Sequence, residues 1–301
     1  MNRKILIPGG TGFLGKLLED YFGKRGDEVR ILTRTPKRAN EMYWDARELG
    51  DWIAEIEWAD TVINLTGKSV DCRYTEENKR LILSSRLNST SILSKAIAQA
   101  DNPPETWLNA ASSTIYVHSE KQEMTEDEGI IGADFSMNVC KEWEACFFKE
   151  DLDHTRRVAL RTSIVLGKGG GAYPKIRLLT KLFFGGKQAN GAQFISWIHE
   201  KDFCRSVEFT LNHPEIVGPI NIVSPKPIRN KDFMKLVQKS LNRPFGIGQS
   251  RWLLEIGAKL FGTEAELLLK SRNVIPERLL ESGFTYDFDE IEGCLEDLSQ
   301  E

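Results

Sequence analysis

Three glycines near the N-terminus have the spacing of a phosphate-binding loop. Gly9, Gly12 and Gly15 form the pattern G-x-x-G-x-x-G, directly after the apolar residues 5–7 and before a helical pattern that runs to Tyr21. In such a loop a tight turn needs a residue without Cβ, a diphosphate must approach the backbone closely, and the N–H groups that begin the next helix meet the phosphates. A glycine spacing alone is also typical of an ordinary turn, but the strand before it and the helix after it predict a dinucleotide site.

Cations follow the second predicted strand, where an acid selects NAD in many dinucleotide sites. The strand ends at Thr33 and is followed by Arg34, Lys37 and Arg38, with no acid among them. An arginine at this position stacks on adenine and pairs with a 2′-phosphate, so the pattern favours NADP over NAD. The alternative is a solvated basic loop without a ligand.

Short β-branched runs alternate with longer helical patterns up to about residue 225. Several of these runs are apolar on both faces, as strands covered by helices on each side must be. The predicted strands are residues 5–7, 29–32, 61–65, 107–110 and 158–161. The alternation predicts an α/β fold, namely a Rossmann-type, doubly wound parallel sheet with a smaller, mixed substrate-side lobe and a C-terminal helical appendage.

The length of the chain suggests two unequal domains. At 301 residues, it is near the size at which a second lobe is added to a single core. We expect an NAD(P)-binding domain over residues 1–245, with substrate-side elements mainly from 167–245, and a small C-terminal domain over 246–301. A helix capped by Asn230 is predicted up to Leu241. Because no Ser/Gly linker separates the parts, the C-terminal region should pack on the larger domain.

The composition excludes several classes of protein. The chain is 41% hydrophobic, and its 40 Lys and Arg are interspersed with 44 Asp and Glu for a net charge of -4. Disorder and a basic tract for nucleic acid or membranes are therefore not expected. Five cysteines without a C-x-x-C pair are typical of reduced thiols, and the four histidines are too scattered for a metal site. We expect a soluble cytoplasmic protein with no nucleic-acid, membrane or metal partner.

The glycine pattern resembles that of the extended short-chain dehydrogenase/reductase superfamily, which includes sugar-nucleotide epimerases and dehydratases. More narrowly, the chain resembles an atypical, epimerase-like family of NADP-binding proteins, sometimes labelled as cell-division inhibitors, with a small C-terminal domain of unknown function. The narrower resemblance rests on Trp143-Glu144, Arg161 to Gly167, Ser196 to His199 with Asp202, and Val274 to Leu280 with Gly283-Phe284. These segments extend the match over nearly the whole chain.

The resemblance implies which residues bind the cofactor. They are Gly9, Thr11, Gly12, Phe13, Leu14 and Gly15 for the diphosphate, Thr33 and Arg34 for the 2′-phosphoribose, Leu65 and Thr66 for the adenine side, Arg86 as a cation, and Ile164 near the nicotinamide. Without the resemblance, Arg86 would be only a charge on a helix face. NADP is accordingly the expected cofactor.

The catalytic pair of the superfamily is missing from this chain. Extended enzymes use a Tyr-x-x-x-Lys pair, in which lysine and the oxidised nicotinamide lower the pKa of the phenol until it acts as a base. None of the six tyrosines has a lysine four residues later. Counting back from Trp143 puts Ser136 and Cys140 at the two positions, and Lys141 points about 100° away from that helix face. Cys140 is either a reactive thiol or, as we expect, a buried helix cysteine.

Two residues remain as candidate catalytic groups. Ser112 follows a strand at the carboxyl edge of the sheet, where the hydrogen-bonding serine of the superfamily lies. Tyr116 is a substitute acid in the same crevice if a nearby cation lowers its pKa; the alternative is a packing tyrosine whose hydroxyl bonds to a loop. His199 and Asp202 form either an acid–base pair or a structural element that closes the substrate loop.

Two functions from different classes follow from these residues. The first is an NADP-dependent oxidoreductase or epimerase acting on a small substrate, phosphorylated or nucleotide-linked, with glycine-rich segments at 168–171 and 184–187 as a lid. The second is a non-catalytic NADP(H) sensor or scaffold that presents its C-terminal helices to a protein partner. A homodimer is a further expectation, because helix packing into dimers is common in the superfamily.

Overall fold

The strands follow the alternation expected of an α/β chain in the computed structural model, which describes residues 2–260, 262 and 264–300. In chain order they are β1 (Lys4–Pro8), β2 (Glu28–Thr33), β3 (Glu41–Tyr43), β4 (Thr61–Asn64), β5 (Thr106–Ser112), β6 (Arg156–Thr162), β7 (Ile164–Leu166), β8 (Phe194–Ile195), β9 (Trp197–His199), β10 (Gly218–Ile222) and β11 (Ile228–Arg229). All five predicted strands are present.

Helices connect most of these strands. They are α1 (Phe13–Gly23), α2 (Ile53–Trp58), α3 (Glu76–Gln99), α4 (Phe135–Phe148), α5 (Tyr173–Lys181), α6 (Glu200–Asn212), α7 (Asn230–Ser240), α8 (Arg251–Leu260), α9 (Glu266–Leu269), α10 (Glu277–Glu281) and α11 (Ile291–Ser299), with a 3₁₀ turn at Ser113–Ile115. Among the described residues, no helix combines the length and apolarity that crossing a bilayer requires.

Seven of the described strands form one parallel sheet in the order β10-β6-β5-β4-β1-β2-β3. From β1 the chain winds outward through β2 and β3, and it then returns to the other side of β1 through β4, β5 and β6. The order therefore reverses between β1 and β4, and the crevice at their carboxyl ends is where folds of this kind bind ligands. The predicted Rossmann-type, doubly wound sheet is confirmed.

The two edge strands of the sheet, β3 and β10, were not predicted from the sequence. β3 has only three residues, and β10 begins with a glycine and a proline.

Helices cover both faces of the sheet because successive strand residues point to opposite sides. In β1, Ile5 belongs to one core and Leu6 to the other. Phe22 of α1 and Phe203 of α6 pack in the first core, and Leu93 of α3 packs in the second. Burying side chains of this size stabilises the fold by about 1.5–3 kcal/mol each.

The C-terminal region packs on the rest of the chain, as predicted. Leu279 of α10 joins the first core, while Leu295 of α11 packs with Phe233 of α7 in a third cluster. The buried carboxylate of Asp202 accepts the backbone N–H groups of Asp287 at 3.0 Å and Phe288 at 2.8 Å. Residues on both sides of position 245 therefore share apolar cores and a buried polar anchor.

The predicted cap of α7 is wrong. Arg229, not Asn230, is the N-cap residue, and no side chain caps the helix. The Asn230 amide instead accepts the Gln188 backbone N–H at 2.8 Å and donates to the Gln188 side-chain oxygen at 2.9 Å. The side chain therefore holds the loop before β8 rather than the start of its own helix.

Candidate functional site

The glycine loop lies at the switch point of the sheet, between β1 and α1. Gly9 has a φ of +75°, and a Cβ on it would lie 2.9 Å from the backbone N and Cα of Thr66. A Cβ on Gly15 would lie 2.2 Å from the carbonyl oxygen of Gly10. These two glycines therefore permit the tight turn and the close packing of α1 against the loop that follows β1.

Gly12 has a different role from its two partners. It is exposed, and a Cβ on it would meet only the Gly9 carbonyl oxygen, at 3.9 Å. Gly12 is the N-cap of α1 and offers no side-chain cap, so the N–H groups of Phe13 and Leu14 have no side-chain acceptor among the described residues. A helix start of this kind is a binding site for a diphosphate.

The segment at 168–171, predicted to form part of a lid, folds over the start of α1. A Cβ on Gly170 would lie 2.5 Å from the Phe13 ring, and one on Gly167 would lie 2.6 Å from the same ring. Thr11, beside Gly12, remains exposed. The segment and the glycine loop therefore border the same crevice.

The predicted ribose end of the site lies after β2. Thr33 is buried, whereas Arg34 is exposed and pairs with no acid among the described residues. Arg38, by contrast, is held 2.8 Å from Glu19 and 2.7 Å from Glu41. Its charge is already neutralised, so Arg38 does not contribute to the cationic site that three neighbouring cations suggested. Arg34 is left as the candidate for a 2′-phosphate.

Leu65 and Thr66 follow β4 at the same edge. The Leu65 N–H donates to the Pro8 carbonyl at 2.9 Å, and the Thr66 N–H donates to Asn64 Oδ1 at 3.0 Å. The buried Thr66 hydroxyl has no hydrogen-bond partner among the described residues. The structure therefore brings both residues beside Gly9 and leaves one polar group there to be satisfied.

Arg86 of α3 lies behind Gly67. Its Cζ would be 3.2 Å from a Cβ on Gly67, and its Nη1 donates to the carbonyls of Lys68 at 3.0 Å and Ile82 at 2.8 Å. The guanidinium also lies 4.9 Å from the Trp143 ring centre. Burial lowers the pKa of Arg86, and no carboxylate of the described residues pairs with it.

Ser112 is the last residue of β5. Its Oγ accepts the Thr114 N–H at 3.2 Å, which leaves its own hydrogen available to a substrate oxygen. Ser112 pairs in register with Thr162 of β6, two residues before Ile164, whose side chain is 39% exposed. Both predicted residues therefore lie at the carboxyl edge of the sheet.

Tyr116 is fully buried behind this edge. Its hydroxyl donates to Asn221 Oδ1 at 2.9 Å and accepts from Arg161 Nη1 at 2.7 Å, while Arg161 is also paired with Glu144 at 2.8 Å. Burial raises the pKa of Tyr116 despite the adjacent guanidinium. These contacts favour the packing interpretation, and the catalytic role of Tyr116 stays a prediction.

The positions of the missing Tyr-Lys pair lie on α4. Ser136 donates to Glu266 Oε1 at 2.9 Å. Cys140 is buried, and burial raises its pKa to about 12. Cys140 is therefore a neutral thiol at physiological pH, which confirms the expected buried helix cysteine.

Three residues at this end of α4 were missed from the sequence. Tyr74 comes from the loop before α3, Glu266 from α9, and Arg272 from the segment after α9. The Arg272 guanidinium acts electrostatically on Cys140 and Tyr74. A search for lysine four residues after tyrosine cannot find groups that only the tertiary fold brings together.

His199 has the structural alternative of its two predicted roles, and it does not pair with Asp202. The imidazole Nδ1 accepts the Lys201 N–H at 3.1 Å, Nε2 lies 3.2 Å from Asp297 Oδ2, and the ring stacks on Phe288 at 3.8 Å. Burial lowers its pKa to about 4. The neutral ring thus joins β9 to α11 and has no access to a substrate.

These features define a class of protein. A parallel sheet with a glycine loop at its switch point and an uncapped helix start is a Rossmann-type, dinucleotide-binding architecture. Family models match two segments of the chain. The NAD dependent epimerase/dehydratase family covers residues 5–134, and a domain of unknown function, DUF1731, covers residues 251–298.

Relatives match over the full length. The epimerase family protein SDR39U1 of Mus musculus is 31% identical over 299 residues, which is 98% of this chain and 99% of that protein. The epimerase family protein YfhF of Bacillus subtilis is 30% identical over 301 residues, with 98% of this chain and 97% of that protein covered. The chain belongs to this epimerase family.

Solved structures agree with the fold. The human epimerase family protein SDR39U1 (isoform 2), crystallised with NADPH, matches with a TM-score of 0.89 and 32% identity, covering 98% of this chain and 99% of that one. The UDP-N-acetylglucosamine 4-epimerase of Bacillus cereus matches with a TM-score of 0.77 at 18% identity, over 99% and 95% of the two chains. The second match supports the fold alone.

The buried imidazole predicts a pH dependence of stability. Histidine in an unfolded chain has a pKa of about 6.5, whereas the pKa of folded His199 is about 4. Because the unfolded state binds the extra proton between these values, the contribution of His199 is intact above pH 6.5 and is lost progressively towards pH 4. We expect the free energy of unfolding to fall more steeply from pH 7 to pH 5 in the wild type than in His199→Asn.

Urea unfolding followed by tryptophan fluorescence at several pH values measures this slope. The exposed His154 provides the matched control, and His154→Asn should keep the wild-type slope. The same slope in wild type and His199→Asn would contradict the account.

Proposed function

We propose that the protein binds NADP(H) and uses it as an oxidoreductase or epimerase on a small substrate. The observation that carries this proposal is the open space in front of Gly12 at the uncapped start of α1. A diphosphate fits such a place because it brings negative charge to free N–H groups. The NADPH in the crystals of the human relative supports the same choice of ligand.

Different residues of this chain would bind different parts of the cofactor. The backbone from Gly12 to Leu14 would hold the diphosphate, and the unpaired Arg34 would hold the 2′-phosphate. The Thr66 hydroxyl, which lacks a partner among the described residues, would bond to the cofactor or to its water. Exposed Ile164 would contact the nicotinamide, whose chemistry when bound is the transfer of a hydride.

Ser112 is the group we assign to the substrate. Its hydroxyl hydrogen would be donated to a substrate carbonyl or hydroxyl oxygen, which orients that oxygen and stabilises charge that develops on it. The proposed substrate is a small molecule, phosphorylated or nucleotide-linked. We also propose that two copies of the protein form a homodimer. We propose no nucleic-acid or membrane partner.

A second candidate is a non-catalytic NADP(H) sensor or scaffold that presents its C-terminal helices to a protein partner. The observation in its favour is the state of α4, where Ser136 is bonded to Glu266 and Cys140 is a neutral thiol. Neither group can act as the base that the Tyr-Lys pair supplies in the superfamily. Binding of NADPH without turnover on any substrate would support this candidate.

The specificity for the 2′-phosphate is testable at Arg34. Arg34→Ala should weaken NADPH by about tenfold or more while leaving NADH nearly unchanged, since a charge-assisted contact to a phosphate is worth about 1.5–3 kcal/mol. Titration of nucleotide fluorescence measures both affinities. Arg25→Ala removes the same charge beyond the C-terminal end of α1 and should change neither affinity. An equal loss of NADPH and NADH in Arg34→Ala would contradict the assignment.

The enzyme hypothesis is testable at Ser112. We expect the protein to oxidise NADPH with at least one member of a panel of carbonyl, enoyl and sugar-nucleotide compounds. Ser112→Ala should then lower kcat about 10²-fold, as removal of one donor to a developing oxyanion does, without changing NADPH affinity. If NADPH binds and no compound is turned over, the sensor is favoured. Turnover that Ser112→Ala leaves unchanged would contradict the role of Ser112.

A further inference from the structure

The Arg272 guanidinium is charged, enclosed and without a partner. Its Nη1 is fully buried with no acceptor, and within the described residues the guanidinium donates no hydrogen bond and meets no carboxylate at ion-pair distance. Asp134 and Glu266 act on it only through space, and both are ion-paired with Lys270. Burial lowers the pKa of Arg272, although the charges of Asp134 and Glu266 partly oppose that effect.

Two other enclosed arginines, Arg161 and Arg156, are compensated by polar partners. Arg161 makes a paired contact with both carboxylate oxygens of Glu144, at 2.9 and 2.8 Å. Arg156 has no acid partner in the part of the chain that the structure describes, but its Nη1 donates to three carbonyls at 2.9–3.0 Å, including those of Thr210 and His213. An unpaired buried charge destabilises a fold by several kcal/mol. Arg272 therefore differs from both, and its surroundings suit a partner that the chain itself does not supply.

Arg86 is a second arginine whose charge acts on Cys140 and Tyr74. Only Nη1 of Arg86 is bonded within the described residues, and it donates to two carbonyls and to no acid. The charges of both Arg86 and Arg272 act on the Cys140 sulfur and on the Tyr74 hydroxyl. Both guanidiniums therefore act on the same part of α4, where Tyr74 and Ser136 add neutral hydroxyl groups.

This region coincides with the positions of the missing Tyr-Lys pair. Ser136 and Cys140 occupy those positions on α4, and a lysine at 140 would add a third cation beside two arginines. A cysteine avoids that repulsion, because its buried thiol is neutral. The two arginines thus supply positive charge where the superfamily has a single lysine, and two forked groups recognise planar or tetrahedral oxyanions better than one ammonium does.

We propose that Arg86 and Arg272 bind an oxyanion of the substrate, a carboxylate or a phosphate, beside the place of the missing pair. This inference deepens the proposed function and rests on it. The substrate class becomes a small anionic compound whose charged group is held on the α4 side of the cleft. Arg272 is the better residue for a test, because Arg86 is also predicted to face the cofactor.

The test is calorimetric titration of the NADPH-saturated full-length protein with inorganic phosphate and, separately, with malonate. NADPH fills the phosphate sites of the glycine loop, so a further saturable event reports the arginine site. We expect the wild type to bind one of the two anions, and Arg272→Gln to weaken that binding at least tenfold with NADPH affinity unchanged. Phosphate alone would indicate a phosphorylated substrate, and malonate alone a carboxylate.

Two further measurements keep the proposal distinguishable from a structural role. Without anion, Arg272→Gln should melt at the wild-type temperature or above, because it removes an unpaired buried charge, and the rise in melting temperature caused by the anion should disappear. Arg25→Gln removes a charge outside the region, so it should keep the wild-type anion affinity and the wild-type rise in melting temperature on addition of the anion.

Three outcomes would overturn the proposal: no anion binding by the NADPH-saturated wild type, unchanged anion binding in Arg272→Gln, or a large loss of stability in Arg272→Gln without anion. Failure of the wild type to bind NADPH is a separate result, which counts against the proposed function.

Discussion

The backbone of Gly10 and the Cα of Gly15 lie so close together that a single added carbon would come within 2.2 Å of a carbonyl oxygen. The start of α1 therefore packs directly against the loop after β1. This close packing of Gly15 on Gly10 is possible only without a side chain at position 15. As a result the first N–H groups of α1 point into the switch point of the sheet. The ribose end after β2, the Thr66 hydroxyl after β4 and Ser112 after β5 are all arranged around that helix start.

The charges around this crevice follow a consistent pattern. Two of the cations near the crevice are paired with acids, Arg38 with Glu19 and Glu41, and Arg161 with Glu144. Arg34, Arg86 and Arg272 have no acid partner within the described residues, and each lies beside a part of the proposed site. The chain has a net charge of -4, and these three cations at the crevice suit small anionic ligands rather than a polymer.

Much of the fold could be predicted from the sequence because its signals are local. The five inner strands are runs of apolar residues, and the glycine spacing with its flanking strand and helix identifies the phosphate loop. The assignment of Arg34 to the 2′-phosphate also rests on its distance along the chain, and it stays a prediction. The Asn230 cap was wrong for a related reason, since a residue with good capping chemistry found a stronger partner in Gln188.

Residues joined only by the tertiary fold could not be predicted in this way. Asp297 reaches His199 from the last helix, Glu266 of α9 accepts a hydrogen bond from Ser136, and Arg272 acts on Cys140 of α4 from the C-terminal region. No periodicity relates such positions, and a motif search compares neighbours in sequence. The loss of the Tyr-Lys pair was visible in the sequence, but the two arginines that bring positive charge to its place were visible only in three dimensions.

The central claim is that the glycine loop builds a dinucleotide site through backbone contacts and leaves open space only at Gly12. Parallel NADPH titration and thermal unfolding of Gly12→Ala and Gly15→Ala test it most directly. We expect Gly12→Ala to keep the wild-type melting temperature and lose NADPH binding, whereas Gly15→Ala should lower the melting temperature itself. Wild-type NADPH affinity in Gly12→Ala would contradict the central claim.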